Sequence, residues 1–443
     1  MHPRYHSWGR YPQFEQSAVR LRWRSLPLPI PADAQMSYLP FGNGRSYGDS
    51  CLNAGGVLLD ARGLDRIIAF DPLGGILRCE SGVLLAEILA LTVPRGWFPP
   101  VVPGTKFVTV GGAIANDVHG KNHHSAGTFG CHVRCLELLR SDGRRLLCSP
   151  SENAEWFQAT IGGLGLTGLI LWAEIALKRI DNTAMAVETI RFGQLGDFFE
   201  LTAESDRQYE YTVAWIDCMA QGPRLGRGLF IRGNHAGPKV APVDAPRHRV
   251  SIPVDLPVTL ITRLSSRLFN SLHYRMQLRT HSSGIEHYEH FFFPLDGIRH
   301  WNRLYGPRGF LHYQCEVPVA EGRSALREII DRAAHGRIDS FLGVLKVFGE
   351  RRSPGLLSFP KPGVTVALDF YHHGDKTLRL LDSLDEIVLS AGGAVSPYKD
   401  ARMSGASFRR FYPRWQELES FRDPKFCSSF WRRVTGGRTC DGF

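Results

Sequence analysis

The chain is short of the features that would place it across a membrane or inside a disulfide scaffold. No uninterrupted apolar run in its 443 residues reaches the roughly 18–20 that a spanning helix needs. Residues 1–14, MHPRYHSWGRYPQF, lack the apolar centre of a secretory signal. Nine cysteines are scattered without a CxxC pair, which argues for a reducing compartment and against a disulfide framework. Cys131 and Cys135 lie near His123, His124 and His132, but their order matches no regular zinc spacing, so no metal site is expected. Internal repeats and low-complexity tracts are also missing. The expectation is a cytoplasmic protein without a signal peptide or transmembrane helix, with room for a peripheral contact at the inner membrane.

What remains is a globular composition. Apolar residues make up 43% and charged residues 22%, and the length accommodates two domains, each with its own core. The net charge of +10 suits an anionic substrate, an anionic lipid surface or nucleic acid; a solvated basic surface explains it equally well. From Tyr38 to about Lys178, short β-like runs (GGVLLD, GGILRCESG, LTGLILWAEIAL) alternate with glycine turns. Helical patterns interrupt them at Leu84 to Leu91 and Ala154 to Thr160. From about Asp181, strands such as YTVAWID, FLHYQCEVP and GVTVALDFY alternate with helices at Gly322 to His335 and Lys376 to Leu389. This is an α+β pattern, with the second part read as a sheet carrying helices on one face. The expected division is 1–180, 181–411 as a substrate or cap domain, and a tail, 412–443, that packs back on the first domain. Residues before 37 read as a lead-in with a Pro-rich linker.

Two glycine-rich stretches stand out: PFGNGRSYGDS (Pro40 to Ser50) and VPGTKFVTVGGAIANDVHGKNHH (Val102 to His124). Glycine lets backbone approach a ligand closely, and consecutive N–H groups in such loops form anion sites suited to a pyrophosphate. Two such loops point to a dinucleotide held between them, and they count against a nucleic-acid binder. Two look-alikes fail. Gly163-Leu-Gly165-Leu-Thr-Gly168 fits GxGxxG, but a helix-like segment precedes it and a β-rich run follows, the reverse of a Rossmann turn. A P-loop ending at Gly120-Lys121 would need glycine where Ala115 stands, and Asn122 replaces its Ser or Thr.

These stretches, with IGGLGLTGLI (Ile161 to Ile170), resemble the FAD-binding domain of the vanillyl-alcohol-oxidase/p-cresol-methylhydroxylase class of flavoproteins. HGKNHHSAG (His119 to Gly127), YGPRGFLHYQ, SFLGVLKVFG, LSFPKPGVTVALDF and YKDAR extend the resemblance, over nearly the whole chain, to the branch that oxidises polyprenyl-phosphoryl ribose. Only about 238–286 shows little to align. The resemblance implies a two-domain α+β flavoprotein. FAD would be contacted by Gly42, Asn43, Gly44, Arg45, Ser46, Tyr47, Gly48 and Asp49, by Gly104, Thr109, Val110, Gly111, Gly112, Asn116, Asp117, Val118 and His119, and by Ile170. Arg45 stands where aldonolactone-oxidase relatives carry the histidine bonded to flavin, so the FAD is expected to be non-covalent; a covalent link through His119 or His123 is the alternative. Lys399, His119 and Tyr47 are the implied catalytic residues, with Lys399 as base or as fixed charge. His119 and Lys121 are expected to place a cation by the flavin. Lys121, Trp215, Gln314, Lys346 and Phe348 are the implied substrate contacts. Two departures are His312, where the family commonly has Gln, and Ala367, where mycobacterial members carry Cys.

The implied reaction is oxidation of the 2-hydroxyl of a polyprenyl-phosphoryl β-D-ribose. A short-chain dehydrogenase/reductase partner would complete epimerisation to the arabinose donor of arabinan and cell-wall polysaccharide synthesis, and a quinone or oxygen would accept the electrons. The rival expectations are an oxidase of a soluble sugar or aldonolactone, of the D-arabinono-1,4-lactone oxidase kind, and a catalytically idle flavin-binding subunit. Within the poorly aligned stretch, Leu260, Leu264, Leu268, Leu272 and Met276 recur every fourth residue, with Arg263, Arg267, Arg275 and Arg279 among them. Such a helix suits an anionic membrane or a packed place on the cap domain.

Overall fold

A computed structural model describes residues 5–31, 33–246, 250–336, 340 and 342–437. Three sheets organise it. β1 (Ser17–Arg20), β2 (Tyr38–Phe41) and β3 (Val57–Asp60) form a parallel sheet in the order β1-β3-β2. β4 (Ile67–Asp71), β5 (Ile76–Glu80), β6 (Val133–Leu139), β7 (Arg145–Cys148) and β8 (Leu169–Ala176) form an antiparallel sheet in the order β4-β5-β8-β6-β7. The third sheet has eight antiparallel strands: β9 (Ala184–Phe192), β10 (Tyr211–Ile216), β11 (Gly228–His235), β12 (His281–His287), β13 (Phe310–Val317), β14 (Gly343–Phe348), β15 (Gly363–Tyr371) and β16 (Ala394–Val395). Its order is β12-β9-β11-β10-β14-β15-β13-β16.

Five helices matter for the site. α1 (Val110–Ala115) starts in the second glycine loop, where the Thr109 side chain caps it by accepting from Gly112 N. α2 (Arg263–Met276) lies in the stretch with little resemblance to the family. α3 (Val319–His335) and α4 (Asp375–Ser390) cover one face of the large sheet, packing on β13. α5 (Ser429–Thr435) is the last element among the described residues. The lead-in is more than a linker: β1 pairs with β3, and Trp8 N bonds to Ser46 O while Phe310 N bonds to Gly9 O. That backbone bonding was invisible because the run carries no strong strand pattern. Among the described residues seven cysteines are free and Cys427 is disulfide-bonded.

Strand alternation gives the large sheet two faces. On β13, Leu311, Tyr313, Cys315 and Val317 enter the apolar core. Their neighbours His312 and Gln314 line a cavity on the opposite side. β14 and β15 repeat the division: Leu345, Val366, Leu368 and Phe370 go to the core, and Lys346 and Ala367 go to the cavity. The polar residues embedded in these apolar strands therefore share one surface.

The chain's end returns to its beginning. Asp423 N bonds to Leu166 O, Tyr38 N to Lys425 O, Cys427 N to Tyr38 O and Ser429 N to Leu52 O. From α5, Arg433 makes ion pairs with Asp49 at 2.7 Å and Asp400 at 3.0 Å, and both carboxylates are buried. Replacing Arg433 with Met should leave the buried Asp49 carboxylate without its partner and leave Asp400 to Arg402 and two backbone N–H groups, at a cost on the order of 3–5 kcal/mol. Chemical denaturation of the variant, compared with Arg433→Lys, measures the loss; equal midpoints for parent and Met variant would refute this anchoring role.

Candidate active site

A cavity of about 1090 Å³ runs from the two glycine loops to the polar face of the large sheet. Gly42, Asn43, Gly44, Arg45, Ser46 and Tyr47 line it from the first loop. Gly104, Thr109, Gly111, Gly112, Asn116, Val118, His119 and Lys121 line it from the second, and Ile170 from β8. Trp215, Gln314, Lys346 and Lys399 close the other end. The backbone N–H groups of Asn43, Gly44, Arg45 and Ser46 find no protein acceptor among the described residues, so four consecutive donors are open to an anionic ligand. The loops also abut. A Cβ on Gly42 would lie 2.4 Å from Thr109 Oγ1. The rejected GxGxxG run contributes Gly165 and Gly168 as cavity wall, with a helix before it and β8 after it.

Five expected contacts do not line the cavity. Gly48 is pressed against the chain after Lys399, where a Cβ would come within 1.6 Å of Asp400 O. Asp49 turns away to Arg433. Val110 is fully buried in the core under α1. Asp117, at φ +43°, accepts from Gly130 N, Ser353 Oγ and Ser358 Oγ. Phe348 lies behind His119, edge-on at 4.8 Å, and also touches His123.

His119 is held at both ring nitrogens. Gln314 Nε2 donates to His119 Nε2 at 3.0 Å and to Thr365 Oγ1 at 3.2 Å. Thr365 gives its own proton to Cys315 O at 2.8 Å, so the amide must present its NH₂ here. The proton of a neutral His119 then sits on Nδ1, facing the Tyr398 hydroxyl at 3.2 Å. Burial, followed by Lys346, His123 and Lys399, holds the His119 pKa well below the ordinary histidine value. The cation expected of His119 is therefore corrected: burial among other cations keeps it neutral. Lys121, with its pKa lowered by burial to about 7, is held by the carbonyls of Phe291 and Phe292.

The cationic end of the site is built by Lys399 and Lys346. Lys399 Nζ lies 4.1 Å from the centre of the Tyr47 ring, and burial lowers its pKa to about 8. Burial, with Lys399 and Lys121 as further causes, lowers Lys346 to about 7. Tyr47 N also bonds to Tyr398 O at 3.1 Å, tying the first glycine loop to the lysine segment. Arg45 lies over the Trp8 ring at 4.1 Å.

The sequence reading missed a pair. His312 and Asp369 are register partners on β13 and β15, and His312 Nδ1 is hydrogen-bonded to the Asp369 carboxylate. The His312 ring packs on Tyr47 at 4.3 Å. Its Nε2 has no protein partner among the described residues, and His312 lines the cavity. The signal was there: His312 is two residues from Gln314 on a strand, so both had to share a face. Phe269 and His273 of α2 are further wall residues that no motif announced.

Residues 30–149 match the FAD binding domain family. The decaprenylphosphoryl-β-D-ribose oxidase of Mycolicibacterium smegmatis is 36% identical over 410 residues, covering 89% of this chain and 88% of that protein. The chain belongs to the decaprenylphosphoryl-β-D-ribose oxidase family. An uncharacterized protein in the mprA 5' region of Streptomyces coelicolor is 32% identical over 80% of this chain and all of its own length. The human Δ(24)-sterol reductase is 33% identical over a third of the chain and 28% of its own length. As a member of this oxidase family the chain is an FAD-dependent oxidoreductase acting on CH–OH groups. The open N–H groups of the first loop and the abutting second loop fit that cofactor.

Two buried histidines, His119 and His123, and the half-buried His235 set an acid limit on the fold. Burial lowers His119 well below 6.5, His123 to about 3 and His235 to about 4. Once unfolded, each takes up a proton near pH 6.5. Their contribution is therefore complete above pH 6.5 and is lost progressively as pH falls towards 4. The denaturation midpoint should drop across that window, and a midpoint that stays level from pH 7 to pH 4.5 would contradict it.

Proposed function

We propose that the chain oxidises the 2-hydroxyl of a polyprenyl-phosphoryl β-D-ribose to the 2-keto sugar. The observation that carries this reading is the continuous cavity joining the glycine loops to the His312, Gln314, Lys346 and Lys399 face of the sheet. In this reading residues 1–180 hold the FAD and residues 181–411 hold the sugar. FAD is bound without a covalent link, since Arg45 cannot form one. The 2-keto product passes to a short-chain reductase that sets the arabinose configuration. Electrons leave to a quinone or, more slowly, to oxygen.

When bound, FAD supplies the acceptor for the hydride that leaves carbon. The chain's residues handle the proton and the charge. His312, fixed in one tautomer by Asp369, offers Nε2 to the departing hydroxyl proton. Lys399 supplies fixed positive charge beside Tyr47, and Lys346 faces the phosphate-bearing side of the substrate. The neutral His119–Gln314–Thr365 chain orients the sugar without adding charge.

Two titrations bound the rate. Burial holds His312 below 6.5, so it is a free base at neutral pH. Lys399 stays charged up to about pH 8. Anaerobic flavin reduction should rise to a plateau above the His312 pKa and fall above about pH 8. Lys399→Ala should retain FAD and reduce it roughly 10²–10⁴-fold more slowly, the range typical of acid–base and electrostatic groups. His312→Gln should lose the acid limb. A rate that climbs through pH 8 would instead make neutral Lys399 the base.

The substrate itself is tested by anaerobic titration of the purified yellow protein with prenyl-phosphoryl sugars, free sugars and aldonolactones. Bleaching by a prenyl-phosphoryl ribose alone supports the proposal, and bleaching by a lactone or free sugar alone overturns it. Acid should release free FAD from the same sample.

A further inference from the structure

The helix α2 has three different sides. Its capped start is fixed by Thr262, whose hydroxyl accepts from Ser265 N. One side packs: Ser266 and Asn270 are buried, Asn270 Nδ2 reaches Ser340 O, and Tyr274 OH donates to Phe192 O at 3.2 Å. A second side, Phe269 and His273, lines the cavity, and His273 meets Trp215 edge-on at 4.6 Å. The helical period puts Leu264, Leu268, Leu272 and Met276 on a third side, opposite the packed one. There Leu264 is 79% exposed and Met276 76%.

The exposed apolar surface extends past the helix. Val254, Val258 and Leu260 before it and Leu278 after it are exposed too, Leu278 by 85%. Single exposed apolar side chains need no explanation, but a contiguous set does. Charge indicates what covers this one. Between Val250 and Ile285 the only acidic residue is Asp255, against Arg263, Arg267, Arg275 and Arg279. An apolar stripe flanked by arginines, on a helix of low mean hydropathy, is the pattern of an interfacial helix on an anionic bilayer. No helix among the described residues is long and apolar enough to cross a membrane.

We propose that the α2 stripe docks on an anionic lipid bilayer and brings the Phe269–His273 side of the cavity to the membrane surface. A substrate whose sugar enters the cavity can then leave its prenyl chain in the lipid. That link to turnover rests on the proposed substrate; the docking does not.

The test uses the FAD-loaded full chain with vesicles of phosphatidylcholine alone and with a third phosphatidylglycerol. The parent should co-sediment with the anionic vesicles at least tenfold more than with the neutral ones. Leu264→Ser/Leu268→Ser/Leu272→Ser/Met276→Ser should abolish binding to both. Arg267→Gln/Arg275→Gln/Arg279→Gln should remove only the preference for anionic lipid. Leu73→Ser, at an exposed residue of the β4–β5 turn, should bind like the parent. Retained flavin absorbance and an unchanged denaturation midpoint show that each variant is folded. A parent that ignores vesicles, or a folded stripe variant that binds them like the parent, overturns the proposal. So does a parent dimer in solution that the stripe substitutions dissolve, because the stripe would then be covered by a second copy. Where the parent docks and the folded stripe variant does not, a raised KM for a long-chain prenyl substrate with an unchanged KM for a short-chain one supports delivery from lipid. Docking without reduction of flavin by any prenyl-phosphoryl sugar would refute the substrate while leaving the surface in place.

Discussion

The contact on which the site most depends is the pairing of Arg433 with Asp49 and Asp400. Asp49 ends the first glycine loop, and Asp400 follows Lys399. The same arginine thus fixes the distance between the cofactor loop and the lysine. Arg402 reinforces it from the other side, bonding Asp385 of α4 at 2.6 Å. Buried carboxylates without these guanidinium groups would be intolerable, so the interior geometry is over-determined by charge. Gly48 completes the arrangement: no side chain fits between it and the Asp400 carbonyl.

From that anchor the alternation of the large sheet becomes chemistry. A strand can hide alternate residues in a helix-covered core and still present the others to a cavity. β13 does this with Tyr313 on one side and His312 and Gln314 on the other. Each polar group on the cavity side is then given one defined donor or acceptor role. Thr365 orients Gln314, Gln314 sets the His119 tautomer, and Asp369 sets that of His312. His312 is accompanied by a buried carboxylate, Asp369, directly across the strand pair, which holds the imidazole in one tautomer.

Much of this was legible in the residues. The glycine loops, the strands YTVAWID, FLHYQCEVP and GVTVALDFY, and the helix of residues 154–160 are where patterning and turn chemistry put them. Local pattern could not reveal which loop residues face the ligand. Asp117 and Val110 sit in the motif yet serve its underside, because a loop around a ligand must also rest on a core. Nor could it reveal Arg433, nearly 400 positions from Asp49, since an ion pair between distant segments leaves no trace in either. The charge of His119 was misjudged for a related reason. Proximity to a flavin suggests a cation, whereas the burial and neighbouring lysines that keep it neutral exist only in three dimensions.

The depressed lysines give the cavity its electrical character. Lys121 and Lys346 titrate near 7 and Lys399 near 8, each lowered first by burial. Lys346 is lowered further by the other two, so these cations repel one another in a space with few anions. An empty cavity therefore holds less positive charge than its residues could carry. A ligand that brings negative charge reverses the balance: it raises the pKa of the lysine it contacts and restores the missing proton there. The site is thus most cationic when an anion is inside it, and least so when it is open to water. Such coupling needs no movement of the backbone.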